Sequence, residues 1–331
     1  MAESVLASGE VTLYCVDCGA PLARDADAFS CTACSQRYPV VDGTVRMLPP
    51  RLRLTGGSDD AEAAVKRRTG RSFGYEWTRF GRVRPEWRKN FLDYMQPHPP
   101  DFLAGKRVLD VGTGSGRHAR EAAELGAKVT AVDIGESIDV ARRNLPDEVV
   151  TVQADAEALP FAEGAFDVVM SIGVLHHMPD PARAVRELAR YVAPGGHLHL
   201  YLYWWPPHGW HREVLRWVSR ARHLTTRFPY GFLYLLCFPL SLLLFASVVL
   251  PYRSLRKFPT LARIADWLPL KTYADYPFMV LVNDQFDRFS APIERRFTRE
   301  EVEVLMRTAG LIDVIVLPHH GWIADGRRPE R

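Results

Sequence analysis

Lysine is scarce in this chain: of 42 basic residues only six are lysine and 36 are arginine. Charge of one sign is missing as well, because 39 acidic residues offset the basic ones to a net +3. That balance is too even to indicate nucleic-acid binding by itself. The arginine bias with abundant alanine reads as codon usage rather than a phosphate-binding surface. Cysteine is rare too, and five in 331 residues exclude a disulfide scaffold. The opening stretch Met1–Val11 has no basic start leading into an apolar run. No secretory signal is therefore expected, and the cytoplasm is the expected compartment. No internal repeat is found. With 47% hydrophobic and 24% charged residues, wholesale disorder is excluded. The length suggests about two folded units.

What is present divides by composition into segments 1–48, with four of the five cysteines, 49–100, a Pro-, Arg- and aromatic-rich stretch read as a linker with a cofactor-covering segment, 101–203, 204–297, an apolar insertion, and 298–331. Segment 101–203 alternates strand and helix patterns. Lys106–Val111 is an apolar strand leading into a glycine-rich turn, and a helix follows that ends at Gly126, suited to a left-handed cap. Lys128–Ile134 is a second strand, and Ser137 can cap the helix after it. Further strands are read around 148–155, 165–175 and 195–205, with a helix from Asp180 between the last two. In the last segment Thr298 and Glu301 form a capping-box pattern before a helix, and Leu311–Pro318 reads as one more strand. Strands alternating with helices of this length predict a doubly wound α/β sheet.

The turn reads Asp110-Val-Gly112-Thr113-Gly114-Ser-Gly116 and follows the first strand, where open α/β sheets bind ligands. A dinucleotide fingerprint needs its third glycine at position 117, which is Arg117. The turn is therefore suited to a nucleoside without a pyrophosphate. Asp133 ends the second strand, where a carboxylate can accept both ribose hydroxyls, and Asp155 ends the third, where it can accept from an adenine amine. Strand-end aspartates are also common turn formers, but three in register with this turn favour a ligand site.

The stretches from Val108 to Ala119, Val129 to Arg142 and Asp155 to Tyr201 resemble the class I S-adenosylmethionine-dependent methyltransferases, in particular the ubiquinone and menaquinone biosynthesis group. The resemblance implies a Rossmann-like sheet with S-adenosylmethionine as cofactor. It implies that Asp110, Gly112, Thr113 and Gly114 line the methionine part, with Gly116 in the same loop. It implies Asp133 at the ribose, Ile134 against the adenine, Asp155 and Ala156 at the adenine amine, and Ser171 near the transferred methyl. The segment Phe73–Phe80 resembles the aromatic stretch that covers the cofactor in related enzymes, with Tyr75 and Trp77 as candidates. His176 and His177 follow the fourth strand and are candidates for a general base, although the same stretch can serve as a helix lead-in.

Cys15-x-x-Cys18 and Cys31-x-x-Cys34 are separated by 12 residues. Two such knuckles suit a tetrahedral structural zinc; disulfides and rubredoxin-like iron are the rivals. The segment 14–48 resembles a small zinc-ribbon domain known as an activating partner of RNA and protein methyltransferases.

From Phe228 to Tyr252 no residue is charged, which is long enough to span a bilayer. Pro239 in the middle predicts a broken helix. Basic flanks on both sides predict ends on the same side of a membrane. A helical hairpin lying in the interface or roofing an acceptor pocket satisfies both, and a buried cap is the rival. Asn283–Pro292 resembles a motif that precedes the final helix in related enzymes, so that Asp284 and Asp287 become candidates for handling an acceptor hydroxyl.

The expected function is methyl transfer to a small lipophilic acceptor such as a quinone, polyketide or glycolipid, by a cytoplasmic protein that contacts the membrane through 228–252. The alternatives are a ribosomal RNA base methyltransferase using the ribbon to bind its substrate, and a non-enzymatic partner that keeps the cofactor fold. An amine-methylating Asn/Asp-Pro-Pro-Tyr motif is absent.

Overall fold

The structure, a computed structural model, describes residues 11–53, 60–206, 209–258, 260, 261, 268 and 270–330. The first ten residues of the expected ribbon, and parts of segments 49–100 and 204–297, lie outside these.

The described residues form two units, one up to Gly209 and again from Ile293, the other Trp210–Pro292. The first is built on strands β1 (Leu22–Arg24), β2 (Ala28–Cys31), β3 (Arg37–Val41), β4 (Thr44–Arg46), β5 (Arg107–Val111), β6 (Lys128–Asp133), β7 (Val150–Gln153), β8 (Phe166–Ile172), β9 (Val192–Leu202), β10 (Ile312–Pro318) and β11 (Trp322–Arg327). Their order is β1-β2-β3-β4-β7-β6-β5-β8-β9-β11-β10, and β7 through β9 are parallel neighbours. The chain winds outward from β5 through β6 to β7 and then returns to β8. The carboxyl ends of β5 and β8 therefore flank the crevice where ligands bind in such sheets. Val108, Leu109, Ala131, Val132, Val168, Val169 and Leu198 are buried, as a sheet covered on both faces requires.

Helices α1 (Ala61–Phe80), α2 (Glu86–Tyr94), α3 (Arg117–Glu124), α4 (Ser137–Asn144), α5 (Pro181–Tyr191) and α10 (Arg299–Thr308) belong to this unit. Asp180 caps α5 through the Arg183 amide, and the Thr298–Glu301 capping box is formed in both directions. Gly126 has φ +86° after α3, as its cap position requires.

Four expectations need correction. Ser137 is the first residue of α4 rather than its cap; the cap position falls on Glu136, which makes no side-chain bond there. Segment 49–100 is not a linker, since Asp60 accepts from the amides of Glu62 and Ala63 and starts the 20-residue α1. The ribbon is not a separate body: β4 pairs in parallel with β7, so its strands extend the main sheet. The terminal segment contributes two strands rather than one, and β11 lies between β9 and β10.

The second unit holds α6 (Gly209–Thr225), α7 (Tyr230–Leu244), a π-helical turn (Phe245–Val249), α8 (Leu250–Leu255) and α9 (Phe278–Ser290). Pro239 does not break the run: Tyr230–Leu255 is one continuous helix of 26 residues, so the expected hairpin is absent. A proline inside a helix costs about 3 kcal/mol. The leucine-rich turns on either side, with their strong helix propensity, outweigh it. A small core of Val249, Tyr273, Ala274 and Leu281 holds the unit together. Two of the basic flank residues are used internally, Arg222 bonding the Arg288 carbonyl (2.8 Å) and Arg253 that of Ala274 (2.8 Å).

Candidate active site

Strand β5 delivers Asp110 and then turns sharply. Gly112, Gly114 and Gly116 have φ of +79°, +57° and +81°, values that favour glycine. The turn is also closely packed. A Cβ on Gly112 would stand 2.4 Å from Val174 Cγ2, and one on Gly114 2.8 Å from Trp77 Nε1. The amides of Gly112 and Thr113 both donate to the Val132 carbonyl, tying the turn to β6.

The acidic strand ends are tied to the same turn. Asp133 accepts from the Gly114 amide at 2.9 Å on one oxygen and from Gly135 at 2.8 Å on the other. Asp110 accepts from the Thr113 hydroxyl at 2.7 Å. Both carboxyls are buried. Burial pushes the Asp110 carboxyl up to about 7; the Thr113 bond opposes this and the Asp133 charge adds to it. Burial raises Asp133 as well, against the Gly114 and Gly135 amides. Two carboxyls strained in this way are stabilised by a cationic ligand. Asp133 thus gathers hydrogen-bond donors at the end of β6, where the resemblance expects the ribose hydroxyls. This end of the site fits the ribose and the cationic methionine portion of S-adenosylmethionine.

At Asp155, where the resemblance expects the adenine amine, helix α1 takes the contacts. Lys66 donates to both Asp155 oxygens at 3.1 and 2.8 Å, and Arg51 adds a bond at 3.2 Å. Lys66 also reaches Glu157 at 2.6 Å, and Arg183 joins Glu157 to Glu62. Ile134 lies against Gly70: a Cβ there would meet Ile134 Cγ2 at 3.3 Å, and one on Gly135 would meet the Gly70 carbonyl at 2.5 Å. Ala156 is half-buried beside Asp155.

Other expected residues have more local roles. Trp77 lies on the glycine turn, whereas Tyr75 receives the Arg79 guanidinium over its ring at 4.6 Å. Ser171 donates to the Val111 carbonyl at 2.9 Å, tying β8 to the end of β5. His176 is fully buried and stacks on Tyr203 with centroids 3.7 Å apart. His177 Nδ1 is 2.7 Å from the Ile293 carbonyl. Since a carbonyl only accepts, Nδ1 carries the hydrogen, and the neutral ring keeps its lone pair on Nε2. Asp284 and Asp287 lie on α9 of the second unit, where Asp284 accepts from the Tyr273 hydroxyl.

Sequence reading missed Lys66, Gly70 and Val174, and also Gly74, where a Cβ would stand 3.5 Å from the Glu136 amide nitrogen. The four-residue spacing of Gly70 and Gly74 was a usable signal, because it leaves one helix face bare for close backbone approach.

The four cysteines converge as their spacing predicts. Sulfur separations are 3.6 Å for Cys15–Cys34, 3.4 Å for Cys18–Cys31 and 3.6 Å for Cys18–Cys34. None is in a disulfide. A tetrahedral ion with metal–sulfur bonds of about 2.3 Å requires sulfurs roughly 3.8 Å apart. The amides of Ala33 and Cys34 point at the Cys31 sulfur at 3.4 and 3.3 Å, a set of donors that suits a thiolate.

A methyltransferase-domain family model matches residues 109–200. A ubiquinone biosynthesis O-methyltransferase of Sodalis glossinidius is 42% identical over 140 residues, 38% of this chain and 55% of that protein. An uncharacterized methyltransferase of Mycobacterium bovis is 36% identical over 154 residues, 45% of this chain and 59% of the other. The chain thus spans little more than half the length of these two relatives. A ubiquinone biosynthesis O-methyltransferase of Pectobacterium atrosepticum is 34% identical over 186 residues, and there the match covers 45% of this chain and 77% of the relative. With a parallel sheet whose strand order reverses at β5, a three-glycine turn within the matched domain, and a relative covered over 77% of its length, the chain belongs to the class I S-adenosylmethionine-dependent methyltransferases.

Proposed function

We propose that the protein transfers the methyl group of S-adenosylmethionine to a small lipophilic acceptor. The observation that carries this reading is the pair of buried carboxyls, Asp110 and Asp133, bonded to the glycine turn at the ends of adjacent parallel strands. The bound cofactor supplies a methyl group on a sulfonium, and transfer then depends above all on in-line placement of the acceptor. Asp133 would hold the ribose, and Asp110 with Gly112, Thr113 and Gly114 the cationic methionine end. Trp77 would shield the turn from water. Asp155 would receive the adenine amine once Lys66 gives it up; Glu157 at 2.6 Å and Glu62 at 3.5 Å keep that ammonium paired when it does. His176 and His177, at the end of β8, are the candidates for taking a proton from an acceptor hydroxyl.

The cysteine quartet would hold a structural zinc that joins the ribbon strands to the sheet. A lipophilic acceptor, and contact with a cytoplasmic lipid surface, are favoured by the second unit. On its long helix Leu235 and Leu243 are 66% and 65% exposed, and Phe232, Phe238 and Leu242 are exposed with them. At 1.5 Å per residue a 26-residue helix extends about 39 Å. We place it along the interface rather than across the bilayer because basic residues flank both of its ends.

The test uses methyl-labelled cofactor, purified protein and a cofactor-depleted lysate, with products split into organic-extractable, RNA and protein fractions. Label in the organic fraction is expected; label in RNA would transfer the role of substrate binding to the ribbon. Asp133→Ala should weaken cofactor binding by about 100-fold or more, roughly 2.7 kcal/mol, with its metal content unchanged. Undiminished binding would remove Asp133 from the site.

A further inference from the structure

Strand β9 carries His197 and His199, and its antiparallel neighbour β11 sets Asp325 directly across from His199. The segment ahead of β5 adds His98, whose ring stacks on Phe102 at 3.7 Å and 9°. His199 and Asp325 are buried. His98 Nε2 stands 2.8 Å from Asp325 Oδ1, and His199 Nδ1 is 3.2 Å from the same oxygen. His197 Nδ1 is 2.9 Å from Oδ2. One ligand atom from each of His98, His199 and Asp325 lies within 4.8 Å of the other two.

His199 decides the chemistry. Its Nε2 is 2.8 Å from the Tyr94 carbonyl, which can only accept, so Nε2 carries hydrogen. In the neutral ring the lone pair is then on Nδ1 and points at a carboxylate oxygen, and the two repel. His98 and His197 have no such conflict, since each can donate to Asp325 as a neutral tautomer. A second proton on His199 removes the repulsion, and so does a cation between the two atoms. A ring that donates one N–H to a backbone carbonyl and presents its other nitrogen to a carboxylate oxygen is held as metal-ligating histidines are held. Tetrahedral bonds of about 2.0–2.1 Å give ligand–ligand edges of roughly 3.3–3.4 Å; the 3.2 Å between His199 and Asp325 is near this, while the 2.8 Å between His98 and Asp325 is a hydrogen-bond length that must open when an ion enters. Two imidazoles and one carboxylate suit zinc, cobalt, nickel or ferrous iron, whereas magnesium and calcium take oxygen donors.

We propose that His98 Nε2, His199 Nδ1 and Asp325 Oδ1 form a second site for a zinc-class dication, distinct from the cysteine quartet. The Tyr94 carbonyl orients His199, and His197 holds the other oxygen of Asp325. The ion ties β9, β11 and the segment entering β5, so its role is to brace that side of the sheet.

The test loads the full chain with one equivalent of zinc, titrates cobalt at pH 7.5, removes loosely held ions and counts metal per chain. Two ions are expected, the cobalt showing visible ligand-field bands without the near-ultraviolet sulfur-to-metal band of a cysteine site. His98→Ala and Asp325→Asn should lose the second ion, with at least about 10-fold weaker cobalt binding, and keep the first. His98→Ala, outside the sheet, carries the result if Asp325→Asn does not fold. A wild-type chain that holds one ion under excess cobalt overturns the proposal. Sulfur ligation of the cobalt, or two ions retained by folded His98→Ala, overturns it equally.

Discussion

The sheet unit and the helical unit use the same residue in opposite ways. Leu109, Leu188 and Leu198 of the sheet unit are fully buried, while Leu235 and Leu243 of the helical unit are about two-thirds exposed. In the sheet unit apolar area is removed from water, and buried polar groups such as Asp110, Asp133, Asp155, His199 and Asp325 are set among it. In the helical unit the apolar area is presented outward, and the small core around Tyr273 holds the frame. Burial of a leucine is worth about 1.5–3 kcal/mol whether protein or another apolar phase covers it. The difference thus lies in what does the covering: the fold itself in one unit, and, under the proposed function, a lipid surface in the other.

The largest effect should separate the units directly. Leu198→Ala is expected to cost about 2–5 kcal/mol, because a cavity opens in a closed sheet core. Leu243→Ala should stay within about 0.5 kcal/mol. Thermal and denaturant melts of both variants check this, and a comparable loss at Leu243 would mean that its side chain is covered within the folded protein. The next effect tests the covering. Replacing Leu235 and Leu243 together with Glu should lower binding to sedimented anionic vesicles by about 10-fold or more, since each substitution removes an apolar contact and adds charge repulsion. Unchanged vesicle binding would rule out this face as the lipid-contacting surface.

The contrast also explains what could be read from sequence. Strands β5 to β9 were legible because a sheet buried on both faces reads as runs of Val, Leu and Ile between turn signals, and the glycine turn and its carboxylates follow in fixed register. Strand β11 was not legible: Trp322-Ile-Ala-Asp-Gly-Arg327 contains a glycine and two charges, and only its pairing with β9 makes it a strand. Asp325 and its histidines were lost with it. The junction of β4 with β7 joins residues about a hundred positions apart, and no local pattern encodes it. At the site, the aspartates were legible but Lys66 was not, because a lysine eight residues before Gly74 gives no sign that it will face Asp155. The hairpin expectation failed because one proline was given more weight than the leucines around it.

The last effect is electrostatic and belongs to the sheet unit alone. Asp110, with its carboxyl pushed up to about 7 by burial, keeps its proton in the folded protein at a pH where the unfolded chain, near ~3.9, has released it. Between roughly pH 4 and 7 the native state therefore binds more protons, and stability must fall as pH rises through that window, by at most about 1.4 kcal/mol per pH unit for one group. Cofactor binding should show the opposite slope, since the proposed cationic ligand favours the ionised carboxyl. Affinity for S-adenosylmethionine is expected to rise between pH 5 and 7, by up to about tenfold per unit. Asp110→Asn should flatten both profiles while raising apo stability at pH 7, where the wild type begins to carry an unpaired buried charge. Calorimetric titration and melting across that range measure the two slopes on the same samples. A wild-type affinity that does not change from pH 5 to 7 would mean that Asp110 keeps its proton with ligand bound, and that the buried carboxyls of the sheet unit serve its packing rather than its cofactor.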